Sequence, residues 1–192
     1  RYAEDAAAVF EFLTSTARRE QPTAAGIELA RKIGFAHFCI VDENGNTTVD
    51  WTISRGSSDQ MSRKLVNSLR PMVGEQTSFS DMTSNLEGKP TLYLTRELEP
   101  GRIAIAALGP DFIREIQSDV TFGDNGHSVI VDRSGNVIAH PRSDWQREIK
   151  NLAEVKPVSL MMRGETGVTN FFAPALGMDM ITGYTTVPRT GL

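Results

Sequence analysis

Residues 127 to 136 read His-Ser-Val-Ile-Val-Asp-Arg-Ser-Gly-Asn, and residues 37 to 46 read His-Phe-Cys-Ile-Val-Asp-Glu-Asn-Gly-Asn. The two stretches lie 90 positions apart and share six of ten residues in the same order. In each, a run of strand-favouring residues leads into an Asp-x-x-Gly turn, which predicts a β-hairpin. Because this hairpin occurs twice, the sequence predicts two copies of one structural unit.

The segment before the first hairpin, residues 1–33, predicts a helical lead-in. Its apolar residues recur at spacings of three and four, as on one face of an amphipathic helix. Gln21-Pro22-Thr23 interrupts this pattern, and Thr23 is a suitable N-cap for a second helical stretch that Gly34 ends. The chain is therefore expected to begin with helices rather than strands.

After its hairpin, the first copy is predicted to continue with a helix, a loop and a second hairpin. Ser57 or Ser58 is the predicted N-cap of that helix, and the second hairpin covers residues 91–108. Gly109-Pro110 is then expected to start another helix that extends to about Val120, because proline is tolerated at the first helical position.

The second copy follows the same order. Ser143 and Gln146 have the spacing of a capping box and predict a helix start. That helix is expected to end or kink at Lys156-Pro157, and a strand pair is predicted from Thr166 to about Val187. Each copy thus reads as hairpin, helix and antiparallel return.

This order resembles a PAS-like sheet, and two such sheets behind a long helix resemble the double Cache family of bacterial sensor ectodomains. The stretch Gly126 to Pro141 is similar to the family's membrane-proximal signature: a strand ending in Val-Asp, a glycine turn, and a strand ending in Ala-His-Pro. The resemblance implies an α+β fold in which a long N-terminal helix is followed by two tandem PAS-like modules with antiparallel sheets. It divides the chain into a lead-in helix (1–33), a membrane-distal module (34–120) and a membrane-proximal module (121–192).

The resemblance also implies a function. Such domains are the periplasmic or extracellular parts of chemoreceptors, sensor histidine kinases or diguanylate cyclases, with a small ligand bound in the distal module and the signal passed to a cytoplasmic output. Arg1 at the start and Thr190-Gly191-Leu192 at the end suggest that the chain is a piece of such a receptor. The membrane helices would then lie outside it, and a homodimer is expected for the intact receptor.

Members of the family that bind amino acids carry an Arg-x-Trp pair, a Tyr-x-Asp element and a second Asp in the last distal strand. Phe79-Ser80-Asp81 matches the middle element, with Phe in place of Tyr. The Arg-x-Trp pair is missing near Met61-Ser62-Arg63, and the strand over 103–108 is apolar. The sequence therefore disfavours an amino-acid ligand and leaves the ligand class open.

Candidate ligand-binding residues come from the match at Asp81 and from the neighbouring aromatic and cationic side chains. They are Asp81, Phe79, Tyr93, Trp51, Arg63 and Arg96, with Arg55 as a further anion-binding candidate. Alternation along the strand predicts that Tyr93 and Thr95 point to one face and Arg96 to the other. For each residue a plain role remains open: a loop cap for Asp81, rim packing for Trp51, and solvation for the arginines.

Composition argues against several other functions. The net charge is -4 and the basic residues are spread along the chain, which disfavours a nucleic-acid partner. Cys39 is a lone cysteine in an apolar run, and the three histidines lack metal-ligand spacing, so neither a disulfide nor a metal site is expected. Nucleophile-elbow, phosphate-loop and dinucleotide motifs are missing, so no cofactor and no enzymatic activity are expected.

Two further readings of the function compete with small-molecule sensing. One is a dimerisation or protein-docking module without its own ligand, which a distal cavity filled by Phe79, Trp51 and Met61 would favour. The other is a soluble binding protein with two parallel-stranded lobes, which the hairpins in both copies disfavour. A pocket lined by polar groups would favour the sensor.

Overall fold

The computed structural model describes residues 2–17, 22–54, 61–109, 121–122 and 126–187. The chain divides into two compact units, Arg1–Phe112 and Ile113–Leu192, and each is described by itself. The predicted helix from Gly109-Pro110 to Val120 and the candidate residue Arg55 lie outside the described residues. So does the predicted module boundary at residue 120.

The first unit opens with the two predicted helices, α1 (Tyr2–Ala17) and α2 (Ala24–Ile33). The Thr23 hydroxyl accepts a hydrogen bond from the Gly26 amide at 3.1 Å, as expected of an N-cap. Gly34 ends α2 in the left-handed region at φ 93°, where glycine carries no Cβ penalty. Local sequence chemistry therefore sets both ends of α2.

The sheet of the first unit is antiparallel. It contains β1 (Phe35–Val41), β2 (Thr47–Thr52), β3 (Ser78–Phe79), β4 (Thr83–Ser84), β5 (Pro90–Glu99) and β6 (Arg102–Leu108). The order is β2-β1-β6-β5, with β3 and β4 both paired to β5. The last strand, β6, thus lies in the middle, and residues 103–108 are buried. Its small alanines alternate with larger side chains, which lets helices and loops cover both faces.

Helix α3 (Arg63–Leu69) covers one face of this sheet and continues into a 3₁₀ turn at Arg70–Met72. Its N-cap is Ser62, whose hydroxyl accepts a hydrogen bond from the Leu65 amide, so α3 starts later than predicted. The predicted caps, Ser57 and Ser58, lie outside the described residues. On α3, Val66 and Leu69 are buried against a cluster that extends over Cys39, Val41, Ile103, Ile105 and Ala107. We call this side of the sheet the α3 face.

Helix α1 packs on the opposite side, which we call the α1 face. The Phe10 ring meets the Phe38 ring edge-on at 6.0 Å, and Phe38 stacks on Trp51 at 5.0 Å. Cross-strand pairing extends the same row through Ala106 and Leu94. The helical lead-in and the first sheet thus share one core.

The second unit repeats the opening hairpin and then has two helices and another hairpin. Its elements are β7 (Thr121–Phe122), β8 (Gly126–His127), β9 (Ile130–Val131), β10 (Val137–Ala139), α4 (Ser143–Arg147), α5 (Lys156–Met162), β11 (Gly167–Ala173) and β12 (Met178–Tyr184). They form three separate two-stranded pairs: β7 with β8, β9 with β10, and β11 with β12. The predicted strand pair from Thr166 to about Val187 is present as β11 and β12.

Two details of the second unit differ from the sequence prediction. The capping box does not form, because Arg142 is the N-cap and the side-chain amide of Gln146 donates to the His140 carbonyl instead. Pro157 does not break a helix but lies in the first turn of α5, where its missing N–H costs nothing. Both differences arise where several local signals compete for one helix end.

The repeated turns have the same hydrogen bonds in both units. The Asp42 carboxylate accepts from the amides of Asn44 and Asn46, and the Asp132 carboxylate accepts from those of Ser134 and Asn136. These bonds favour the carboxylate form and lower the pKa of Asp42, chiefly through the backbone amide of Asn46. Both aspartates therefore stabilise turns.

The predicted α+β class is confirmed, with the helical lead-in and the antiparallel sheet in place. Among the helices of the described residues, none combines the length and the apolar character that a membrane crossing would need.

Candidate functional site

A row that contains two polar side chains crosses the α3 face, and part of it belongs to the buried cluster under α3. His37 on β1 pairs with Ala107 on β6, and Ala107 pairs with Tyr93 on β5, so all three side chains share this face. Both His37 and Tyr93 are buried. The single methyl group of Ala107 separates them, so an imidazole and a phenol lie on either side of the smallest residue in the row.

Thr95 lies one row further along the same face. It is fully buried between Ser78 on β3 and Ile105 on β6. Its hydroxyl oxygen has no hydrogen-bond partner among the described residues. A buried hydroxyl without a partner costs free energy, so this group is one that a bound polar molecule would satisfy.

Asp81 follows β3 and lies beside Tyr93. The Ser80 amide donates to the Tyr93 carbonyl at 2.8 Å, and the Tyr93 amide donates to the Ser80 hydroxyl at 2.9 Å. The Ser80 hydroxyl in turn donates to the Asp81 carbonyl at 2.7 Å. These bonds hold the backbone of the half-buried Asp81 at the edge of the sheet beside β5.

Asp50 contributes a carboxylate to this face. It pairs across the strands with Cys39, and its carboxylate bonds to the Nε2 of the buried His37. Burial, with a smaller contribution from the Asp50 charge, raises the pKa of the Cys39 thiol to about 12. The thiol is therefore neutral and unreactive.

Three of the candidate residues lie on the α1 face, opposite Tyr93. Phe79 pairs with Leu94 in the row that contains Phe38 and Trp51. Arg96 also faces α1, where its guanidinium lies 3.7 Å from the Glu11 carboxylate and donates to the Glu75 carbonyl. The alternation predicted for β5 is therefore present, and it separates Tyr93 from Arg96.

Arg63 lies at the start of α3 and points to the first hairpin turn. Its guanidinium donates to the Asn46 side chain at 3.1 Å, and the nearby Arg70 donates to the carbonyls of Asp42 and Glu43. Both arginines thus hold α3 and the 3₁₀ turn against the hairpin. Of the six candidate residues, Asp81 and Tyr93 are connected through the hydrogen bonds of Ser80.

Alternation along β5 correctly predicts that Thr95 shares a face with Tyr93. His37, Asp50 and Thr95 are not among the ligand-binding candidates predicted from the sequence. His37 and Asp50 depend on the register between β1, β2 and β6, which is a long-range property that no local pattern encodes.

Comparison with solved structures identifies the class of fold: the chain has the fold of extracytoplasmic sensor domains of the double Cache type. No family model and no curated protein matches the chain by sequence. One similar structure is the extracellular domain of a protein designated as the histidine kinase rpHK1S-Z16, with a TM-score of 0.69 and 14% identity over 99% of this chain and 83% of that one.

Two structures of ligand-binding domains are similar over nearly the whole chain. The ligand-binding domain of the Pseudomonas aeruginosa PAO1 amino acid chemoreceptor PctB in complex with L-Gln has a TM-score of 0.64 and 18% identity, covering 100% of this chain and 78% of that one. The ligand-binding domain of Mlp24 with asparagine has a TM-score of 0.62 and 14% identity, covering 98% and 82%. At these identities the likeness establishes the shared fold.

Proposed function

We propose that the chain is the extracytoplasmic small-molecule sensing domain of a bacterial transmembrane signalling receptor. The observation that carries the proposal is the shared fold, which extends over nearly the whole chain in extracellular domains of kinases and in ligand-binding domains of chemoreceptors. The proposal concerns the sensing domain and does not specify the type of cytoplasmic output. In this proposal the first unit is the membrane-distal module and the second is the membrane-proximal one.

We place the ligand site on the α3 face of the first unit, where Tyr93, Thr95 and His37 are buried polar residues. We propose that Asp81, which is half-buried at the edge of this sheet, supplies a carboxylate to the site. A ligand can drive a receptor only by binding one arrangement better than another.

The charges on this face favour a neutral or cationic ligand. Asp81 and Asp50 are carboxylates, whereas Arg63 and Arg70 are engaged at the hairpin turn and Arg96 lies on the other face. A free amino acid needs a cationic partner for its carboxylate as well as an anionic partner for its ammonium. Amines and polyhydroxyl compounds are therefore the ligand classes that these residues fit best.

The test is a thermal-shift screen of the chain against amines, polyols, sugars, amino acids, carboxylates and purines. A ligand at 100 times its dissociation constant adds about 2.7 kcal/mol, which raises the melting temperature of a chain of this size by about 5 to 10 °C. Asp81→Asn is expected to remove the shift, because it keeps the shape of the side chain and removes the charge. Asp179→Asn, at an exposed position on β12, is the matched control and is expected to leave the shift unchanged.

A shift from one chemical class that Asp81→Asn abolishes supports the proposal and its site. A shift that survives Asp81→Asn supports sensing and overturns the site. If no class of compound shifts the melting temperature, the sensing proposal fails in favour of a dimerisation or docking module.

A further inference from the structure

A mainly apolar groove of about 560 Å³ opens in the second unit, between the hairpins and the helices α4 and α5. Among the described residues that line it there is no aspartate, glutamate, lysine or arginine. The titratable residues of the lining are His127, His140 and Tyr184. An apolar groove with a few polar groups is the usual form of a small-molecule site, and the polar groups decide which ligand fits.

The internal repeat relates the two histidines to a polar pair of the first unit. A displacement of 90 positions takes His37 to His127 and Asp50 to His140. The hairpins β1–β2 and β9–β10 have the same register under this displacement, down to the irregularity next to the turn. In the first unit the Asp50 carboxylate bonds to the His37 ring, whereas in the second the two imidazole rings meet edge-on at 5.8 Å. The second unit therefore has an imidazole where the first has a carboxylate.

His140 is held in one tautomer. Its Nδ1 accepts the Arg142 backbone amide at 2.9 Å, so the proton of the neutral ring is on Nε2. Burial lowers the pKa of His140 to about 4, with smaller contributions from His127 and Arg142 against the opposing charge of Asp144. At neutral pH the Nε2–H is therefore a hydrogen-bond donor. The side chain is 3% exposed and lines the groove, and no described residue accepts a hydrogen bond from Nε2.

The surroundings of this donor are aromatic and carry no uncompensated charge. The Trp145 ring lies 4.7 Å from the His140 ring and also lines the groove. The Arg142 guanidinium lies 5.1 Å from the centre of the Trp145 ring and donates to both carboxylate oxygens of Asp144, at 3.2 and 2.6 Å. Arg142 and Asp144 thus compensate each other outside the groove, and the imidazoles are the polar groups that a ligand meets beside Trp145.

We propose that the His127–His140 end of the groove binds a small monocarboxylate with an apolar body, such as a short-chain fatty acid or a benzoate. The His140 Nε2–H donates to the carboxylate, and the apolar body lies against Trp145 and the aliphatic side chains of the lining. The exchange of a carboxylate for an imidazole removes the charge that would repel such an anion. This site goes beyond the proposed function, whose ligand site is on the α3 face of the first unit.

The site predicts a pH dependence of binding. The titratable and charged groups around His140 are His127 on β8, Arg142 and Asp144 at the start of α4, and Tyr184 on β12. Histidine is the side chain that normally changes charge between pH 5 and 8. A bound anion favours the protonated imidazoles, so the affinity for a carboxylate is expected to rise as pH falls.

The test uses the Trp51→Phe variant of the chain, in which Trp145 is the remaining tryptophan. Valerate and benzoate are titrated while the Trp145 fluorescence is recorded, and butylamine and glycerol, from the classes proposed for the first unit, are the negative controls. We expect a saturable change with at least one carboxylate and none with the amine or the polyol. The affinity is expected to rise about threefold or more between about pH 7.5 and about pH 5.5. Because Trp145 reports on the second unit, this test can fail without the proposed function failing, and the reverse.

A pair of variants in the same background tests the donor. His140→Asn keeps an acceptor for the Arg142 amide and removes the Nε2–H, so it is expected to weaken carboxylate binding by about tenfold or more. Arg147→Gln removes an exposed cation of α4 that does not line the groove, and it is expected to leave the affinity unchanged.

Histidine side-chain NMR spectra of the unaltered chain give a measurement that does not depend on a variant folding. The carboxylate is expected to shift the signals of two of the three imidazoles and to leave that of His37, in the first unit, unchanged. The proposal is overturned if neither carboxylate gives a saturable change, if butylamine gives the same change, or if His140→Asn binds as tightly as its parent.

Discussion

The two units start from the same hairpin, yet their sheets differ in completeness. In the first unit β6 is buried between two partners, and helices cover both faces of the sheet. In the second unit the hairpins β9–β10 and β11–β12 stand apart, and large apolar side chains of β11 and β12 are exposed. The difference teaches that one repeated turn can fix a hairpin, whereas a central strand is needed to make two hairpins into a sheet.

The largest expected contrast is between equivalent strands of the two units. Leu94→Ala on β5 removes a fully buried side chain and is expected to destabilise the first unit by about 3 to 5 kcal/mol. Ile181→Ala on β12 removes a side chain that is 70% exposed and is expected to cost less than about 0.5 kcal/mol. Because Trp51 and Trp145 lie one in each unit, urea unfolding of Trp51→Phe and Trp145→Phe backgrounds by fluorescence measures each unit separately. Equal costs at the two positions would contradict the comparison.

The second contrast concerns the repeated turn itself. Gly135 has φ 83°, and an added Cβ would lie 2.9 Å from the backbone of Ala153. Gly45 has φ 78°, and its nearest neighbour would be the Arg63 side chain at 4.0 Å. Gly135→Ala is therefore expected to cost about 3 to 4 kcal/mol, strain and clash together, and Gly45→Ala about 1 kcal/mol. Similar losses in the two variants, measured by urea unfolding, would show that the turns tolerate a Cβ equally.

The third prediction uses pH to separate the units. Burial lowers the pKa of His140 in the second unit to about 4, with smaller contributions from His127 and Arg142 against the opposing charge of Asp144. Because the unfolded chain binds the proton more tightly, the second unit loses stability as pH falls from about 6.5 to about 4, by up to about 3 kcal/mol.

His140→Asn is the matched variant for this prediction, because its side-chain oxygen can still accept the Arg142 amide bond that His140 Nδ1 accepts at 2.9 Å. In this variant the stability of the second unit, followed by Trp145 fluorescence, is expected to change less over the same pH range. An unaltered pH dependence would assign the effect to other groups.

The smallest expected effect concerns the α3 face. Thr95→Val removes a buried hydroxyl without a partner in the described residues and keeps the side-chain volume. The ligand-free first unit is therefore expected to change by less than about 1 kcal/mol, in the stabilising direction. A loss of more than about 1 kcal/mol in urea unfolding would show that the hydroxyl has a structural role.

The parts of the fold that were predicted correctly are those that local turn and cap residues determine. The hairpins at Asp42 and Asp132, the Thr23 cap and the β11–β12 pair follow from turn and cap residues and are present as predicted. The first turn of α3 and the α4 start were predicted wrongly, because several serines and a capping box offered alternatives of similar strength.

The candidate site was less predictable than the fold. Placing Phe79 and Trp51 on the α1 face depends on the pairing of β3 with β5 and of β1 with β2 and β6, which joins residues far apart in sequence. The alternation at Tyr93 is a local signal and is present as predicted, whereas the match at Asp81 is a local signal that stays a prediction. His37 and Asp50 could not, since only the register brings them to the same face.

The most direct test of the central claim is calorimetric titration of the amines and polyols that raise the melting temperature into the chain and into its Asp81→Asn variant. The account predicts saturable binding with one site per chain, and an affinity at least about tenfold weaker in Asp81→Asn, since a charge-assisted hydrogen bond of about 1.5 kcal/mol or more is lost. Heats indistinguishable from dilution for all compounds, or equal affinities for the two proteins, would contradict it.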